Sequence, residues 1–195
     1  MSQAAAAPAR TTTGIPNGKL GMWVFLASEV MLFGALISSY VVLSMGSPTF
    51  GRPDVALLGK PLATLNTFVL ISSSLTMVMA LASIQRNNVK GLLGWLSATS
   101  FLGLCFLGIK AFEYHHKISE GITITSSLFG SFYYTLTGLH GLHMLGGLAF
   151  NAYIAVKAMR GGFDADHCER VEYAALYWHF VDLVWVILFP LFYLV

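Results

Sequence analysis

Apolar residues come in long unbroken runs rather than at alternating positions. The runs span Leu20 to Leu43, Leu62 to Ile84, Gly91 to Phe112, Ser127 to Val156, and Val171 to Val195. Each reaches or exceeds the roughly 20 residues that carry a helix across a bilayer. No run alternates with the period of two that a membrane β-strand requires. Between the first two lies SMGSPTFGRPDVALLGKP, dense in the Gly and Pro that break helices. Gln85-Arg86-Asn87-Asn88, Glu113-Tyr114-His115-His116-Lys117 and Arg160-Gly161-Gly162 are read as the remaining breaks. The pattern predicts an all-α membrane protein, a bundle of five transmembrane helices over about 20–43, 62–84, 91–112, 127–156 and 171–195. Residues 1–18, rich in Ala, Thr and Pro, are expected to form a disordered tail and lack the apolar core of a signal peptide.

Composition agrees with a bilayer. The 195 residues are 56% hydrophobic and only 10% charged, against roughly 25% in soluble domains. Mean hydropathy is +0.70. A net charge of +2 is too small to suggest a nucleic-acid surface. Two cysteines, Cys105 in an apolar run and Cys168 in a polar loop, are not expected to pair, and no CxxC offers a thiolate metal site. Loop charges set the expected orientation. Arg10, Lys19, Arg86, Lys90, Lys157, Arg160 and Arg170 fall on one side, and Arg52, Lys60, Lys110 and Lys117 on the other. The richer side belongs in the cytoplasm, so the N-terminus is expected there and the C-terminus in the periplasm.

Ionisable groups inside spans are costly and therefore informative. Glu29 lies roughly 14 Å along its helix, His179 and Asp182 roughly 12–17 Å from the same side, and His143 roughly 20 Å along a tilted span. His140 and His143 share a helix face, as do His179 and Asp182. Glu29, His140, His143, His179 and Asp182 are therefore expected to form a buried proton or hydrogen-bond network. The bland alternative is that each is a satisfied polar contact between helices. A haem held by His140 and His179 is a further alternative on spacing alone. A second polar group, Asp164, Asp166, His167, Glu169 and Glu172, suits a proton-collecting loop, or simply a solvated one. A free-standing proton or ion carrier is the third class of reading, although no internal repeat is visible.

Three stretches resemble one family. Gly21-Met22-Trp23-Val24-Phe25-Leu26-Ala27-Ser28-Glu29 is similar to the Trp-x-Phe-x-x-Ser-Glu stretch of haem-copper oxidase subunit III. Thr137-Gly138-Leu139-His140-Gly141-Leu142-His143 resembles its Gly-x-His-Gly-x-His stretch. Tyr177-Trp178-His179-Phe180-Val181-Asp182-Leu183-Val184-Trp185 resembles its long Tyr-Trp-His-Phe-Val-Asp signature. Phe112-Glu113-Tyr114, Ile118 to Ile122, and His167 five residues before Glu172 also fit.

The resemblance implies an accessory subunit with no haem, copper or other metal of its own and no catalytic residue. Haem and copper would reside in partner subunits. It would pack on subunit I, beside subunit II and a small subunit IV, support proton uptake, and bind structural phospholipid. The glutamate matching Glu29 is the carboxyl associated with carbodiimide labelling in that family. The longest members have seven spans, so the expected form is the short five-span one of the bacterial inner membrane. It serves cytochrome c oxidases, quinol oxidases or nitric-oxide-reductase complexes.

Overall fold

The computed structural model describes residues 16–47, 50, 59–161 and 168–194. It contains five α-helices: α1 (Asn17–Gly46), α2 (Lys60–Gln85), α3 (Val89–Ser119), α4 (Leu128–Met159) and α5 (Glu169–Tyr193). All five are long and apolar enough to cross a membrane. Their positions follow the five apolar runs, with most ends a few residues further out. Of the expected tail, residues 1–15 lie outside the described residues, and Asn17 and Gly18 already belong to α1. Cys105 and Cys168 are both free.

Helices α2, α3, α4 and α5 form a ring, with α2 against α3 and α5, and α4 against α3 and α5. Helix α1 lies outside this ring, on α4 and α5. Half of the most apolar stretch of α5 is buried, against 6% of that of α1. Helix α5 is therefore the packing centre and α1 the peripheral element.

Local sequence explains the turn between α2 and α3. Asn87, at φ 57°, donates its N–H to the Ile84 carbonyl at 2.8 Å, and the Asn88 N–H reaches the Ser83 carbonyl at 2.9 Å. These bonds close a left-handed helix end, a conformation asparagine tolerates. The Asn88 side chain then accepts the Gly91 N–H at 2.9 Å and caps α3. One residue thus ends one helix and starts the next. At the other end of α3, Gly121 (φ 82°) donates to Ile118, and the Ile122 N–H donates to Lys117 at 3.0 Å, the same closure.

The third span ends later than its sequence suggests. Glu113-Tyr114-His115-His116-Lys117 reads as a polar break, but α3 continues through it to Ser119. Lys110, Glu113 and Lys117 stand at i, i+3 and i+7, on one face, and that face is buried. The charges turn inward and pair, so they do not end the helix. At 1.5 Å per residue α3 is roughly 46 Å long, more than the roughly 30 Å hydrocarbon layer, so its ends reach the interfacial zones.

Packing at the centre depends on Trp178. A Cβ added at Gly103 of α3 would lie 2.8 Å from its ring, and one at Gly147 of α4 would lie 3.0 Å from it. The indole N–H donates to the Ser73 hydroxyl of α2 at 3.1 Å. One side chain of α5 therefore touches all three other helices of the ring, and two glycines make room for it. Close approach of this kind holds helices together in lipid, where apolar transfer supplies no driving force between them.

Candidate functional site

Helix α1 turns Phe25, Glu29 and Phe33 toward α4 and α5. Phe25 stacks on Tyr177 at 6.1 Å between ring centroids, and Phe33 meets the His143 ring edge-on at 5.3 Å. Between them Glu29 Oε2 lies 3.0 Å from His143 Nε2. Both side chains are 15% exposed. His143 Nδ1 lies 2.8 Å from the Leu139 carbonyl. A carbonyl only accepts, so Nδ1 carries its hydrogen. The contact at Nε2 then needs one proton between the two groups. Either a glutamic acid donates to a neutral imidazole, or an imidazolium donates to a carboxylate. Both forms are net neutral, which suits a site within a membrane. Tyr177 donates its hydroxyl to the His143 carbonyl at 3.0 Å, joining α5 to the pair.

The other expected residues are placed separately. His179 Nδ1 lies 2.7 Å from the Ser74 hydroxyl of α2. Tyr177 and His179 point roughly 200° apart on α5, so one faces α1 and α4 and the other faces α2. Asp182 is 6% exposed and lies next to Ser74, but neither of its oxygens has a hydrogen-bond partner among the described residues. His140 lies against Trp185 at 5.2 Å and Phe106 at 5.6 Å, and neither ring nitrogen has a partner among the described residues. The five residues therefore fall into the Glu29–His143 pair, the Ser74–His179 bond with Asp182 nearby, and His140 packed on aromatic rings. Three elements contribute to the pair, and a different seam holds His179 and Asp182.

Of the loop group, Asp164, Asp166 and His167 lie outside the described residues. Glu169 and Glu172 form the first turn of α5, where a carboxylate is favoured by the helix dipole. Glu172 bonds Lys19 of α1 at 2.6 Å, and the Tyr173 hydroxyl donates to Glu169 at 3.5 Å. Glu172 thus clamps α1 to α5. His140 and His179 are engaged with separate neighbours, and the described residues contain no group of three or more His, Cys, Asp or Glu arranged to hold a metal.

Among the described residues the most heavily bonded polar cluster lies outside the expected network, around Glu113. Lys110 Nζ donates to Glu113 Oε2 at 3.0 Å, to Tyr133 at 3.1 Å and to Tyr193 at 2.8 Å. Lys117 Nζ donates to Glu113 Oε1 at 2.7 Å and to Tyr133 at 2.8 Å. Tyr193 donates to Glu113 at 2.5 Å. All five residues are buried, and they join the ends of α3 and α5 to the first part of α4. Next to them Tyr114 bonds Thr137. The i, i+3, i+7 spacing of Lys, Glu and Lys was the available signal.

The cytochrome c oxidase subunit III family profile matches residues 2–195. Cytochrome c oxidase subunit 3 of Alkalihalophilus pseudofirmus is 35% identical over 188 residues, 96% of this chain and 91% of that protein. Probable quinol oxidase subunit 3 of Staphylococcus saprophyticus is 32% identical, covering 91% of this chain and 88% of its own length. The same-named protein of Staphylococcus aureus is 33% identical, covering 95% and 92%. A profile match across nearly the whole chain, with these relatives, places the protein in the cytochrome c oxidase subunit III family.

Proposed function

We propose that this chain is the accessory third subunit of a bacterial respiratory terminal oxidase, seated in the inner membrane against subunit I, with subunit II and a small subunit IV in the same assembly. The observation that carries the proposal is the match along nearly the full length of a chain built of five membrane-long helices. In this reading haem and copper belong to the partners and supply the redox chemistry. This chain's own residues hold helices together and hold protons.

The Glu29–His143 pair supports a proton role. It stores one proton between Oε2 and Nε2 without a change in net charge, at the seam between peripheral α1 and the ring. The carboxyl form of Glu29 is the form that a carbodiimide attacks, and its partial exposure gives the reagent access. Glu29→Gln is expected to abolish carbodiimide labelling of this chain while leaving assembly intact, measured by mass spectrometry of the purified complex. Labelling that persisted would place the reactive carboxyl elsewhere.

The proposed orientation, N-terminus in the cytoplasm, gains support from α3. Lys110 and Lys117 are buried side chains of that helix rather than loop charges. Arg52 and Lys60 then remain on the C-terminal side, against seven on the other. Asp164, Asp166 and His167, beside Glu169 and Glu172, then face the cytoplasm as a proton-collecting loop. A structural phospholipid against the outer helices completes the assembly.

Co-purification tests the reading. The tagged chain, extracted in mild detergent, is expected to bring a large polytopic subunit and a reduced-minus-oxidised haem spectrum, whose haem type narrows the electron donor. A colourless chain recovered alone from intact membranes would overturn it.

A further inference from the structure

The interior of the bundle is polar at successive levels. Asn151 of α4 is 1% exposed, and neither end of its carboxamide has a partner among the described residues. One α5 turn beyond Trp178 comes Asp182, and then His140 against Trp185, both with unpartnered atoms. At the same level Asn66 donates to the Phe106 carbonyl at 3.3 Å and leaves its Oδ1 unpartnered. Beyond Phe106 on α3 stands Lys110. Along α4 the distance from Asn151 to Tyr133 is roughly 27 Å, close to the roughly 30 Å hydrocarbon thickness. Buried Asp and His groups in series are the material of proton relays. A respiratory membrane stores energy as a proton gradient, so such a column must be closed somewhere.

We propose that the Lys110–Glu113–Lys117 cluster is an electrostatic barrier that closes this column to protons at the end where α3 and α5 finish. Two ammonium groups and one carboxylate give it a formal charge of +1. That charge is held in place. All three Lys110 N–H groups have acceptors, and the rings of Tyr114, Tyr133, Trp185 and Tyr193 lie 4.9 to 5.6 Å from the ammonium. Ring faces stabilise a cation without neutralising it. Trp185 touches both the cluster and the column, with Lys110 4.9 Å and His140 5.2 Å from its ring. A proton arriving at His140 would meet a fixed like charge in a medium that screens poorly. Fixed positive charge excludes protons from water pores by the same means. The inference rests on the proposed place of this chain in a respiratory oxidase, which the co-purification above tests separately.

The test uses the purified complex in liposomes, with turnover blocked by cyanide and a potassium–valinomycin potential imposed. An internal pH dye reads the proton leak. Lys110→Met is expected to raise the leak about tenfold, while Lys110→Arg, which keeps the charge, stays as tight as the parent. Adding Asp182→Asn to Lys110→Met is expected to reduce the leak again by interrupting the column. A Lys110→Met complex as tight as the parent would overturn the proposal. So would an equal rise in sodium permeability, which would mean a packing defect, or a leak undiminished in the double variant. If Lys110→Met does not assemble, Lys117→Met makes the same change of charge and is read the same way.

Discussion

Glutamine at position 113 is expected to cost about 3–5 kcal/mol of stability, the usual penalty for removing one partner of a buried ion pair. Glu113 is the only carboxylate of its cluster, and four groups donate to it: Lys110, Lys117, Tyr133 and Tyr193. Glutamine keeps the shape but loses the charge, and leaves two ammonium groups buried at 6% and 2% exposure. At roughly 2–4 °C per kcal/mol for a chain of this size, the expected fall in the thermal midpoint is about 10 °C, read by circular dichroism in detergent. The double variant Glu113→Gln, Lys117→Met restores the parent's charge and is expected to recover part of the loss. A Glu113→Gln protein as stable as the parent would show that the cluster is not ionised.

Trp178→Ala carries the second large effect. The indole fills the space between Gly103 and Gly147 and bonds Ser73, so its removal opens a cavity bordered by α2, α3 and α4. In lipid the loss is of packing and one hydrogen bond rather than of transfer from water, and the expected cost is about 2–4 kcal/mol. The interaction is reciprocal. Gly103→Leu alone is expected to destabilise, because even a Cβ there would lie 2.8 Å from the indole ring. Combined with Trp178→Ala, the leucine can occupy the vacated space, so the double variant is expected to be more stable than the sum of the two losses. Strict additivity in thermal midpoints would show that the two positions do not touch.

The bundle was legible because its signal is long. Uninterrupted apolar runs leave a backbone in lipid only one local solution, an internally bonded helix. The turn at Asn87 and Asn88 was legible as a polar break, but its double use of Asn88 was not, since that depends on dihedral angles. The Glu29–His143 pair was approachable from depth arithmetic, which places two groups at similar levels. Depth carries no information about azimuth. His179 and Asp182 share the depth of Glu29, yet α5 turns His179 toward Ser74 and away from α1. The same limit applies to Glu172, which reads as a loop carboxylate and in the fold is bonded to Lys19 of α1.

The Lys110–Glu113–Lys117 group marks the boundary most clearly. Charged residues following an apolar run ordinarily mean that the helix has reached water, which places the end of the third span at Phe112. Burial of the three depends on tyrosines 16 to 83 positions away in the chain, which reach the same point only after α4 and α5 have packed. The sequence by itself determined the five spans, the family motifs and the polar residues that interrupt the apolar runs, because hydrophobic length and residue type are local properties. Only the tertiary structure decided which polar groups share a proton, which stand alone and which charges are buried. Those outcomes depend on helix rotation and packing partners, and neither is encoded in the span where the residue sits.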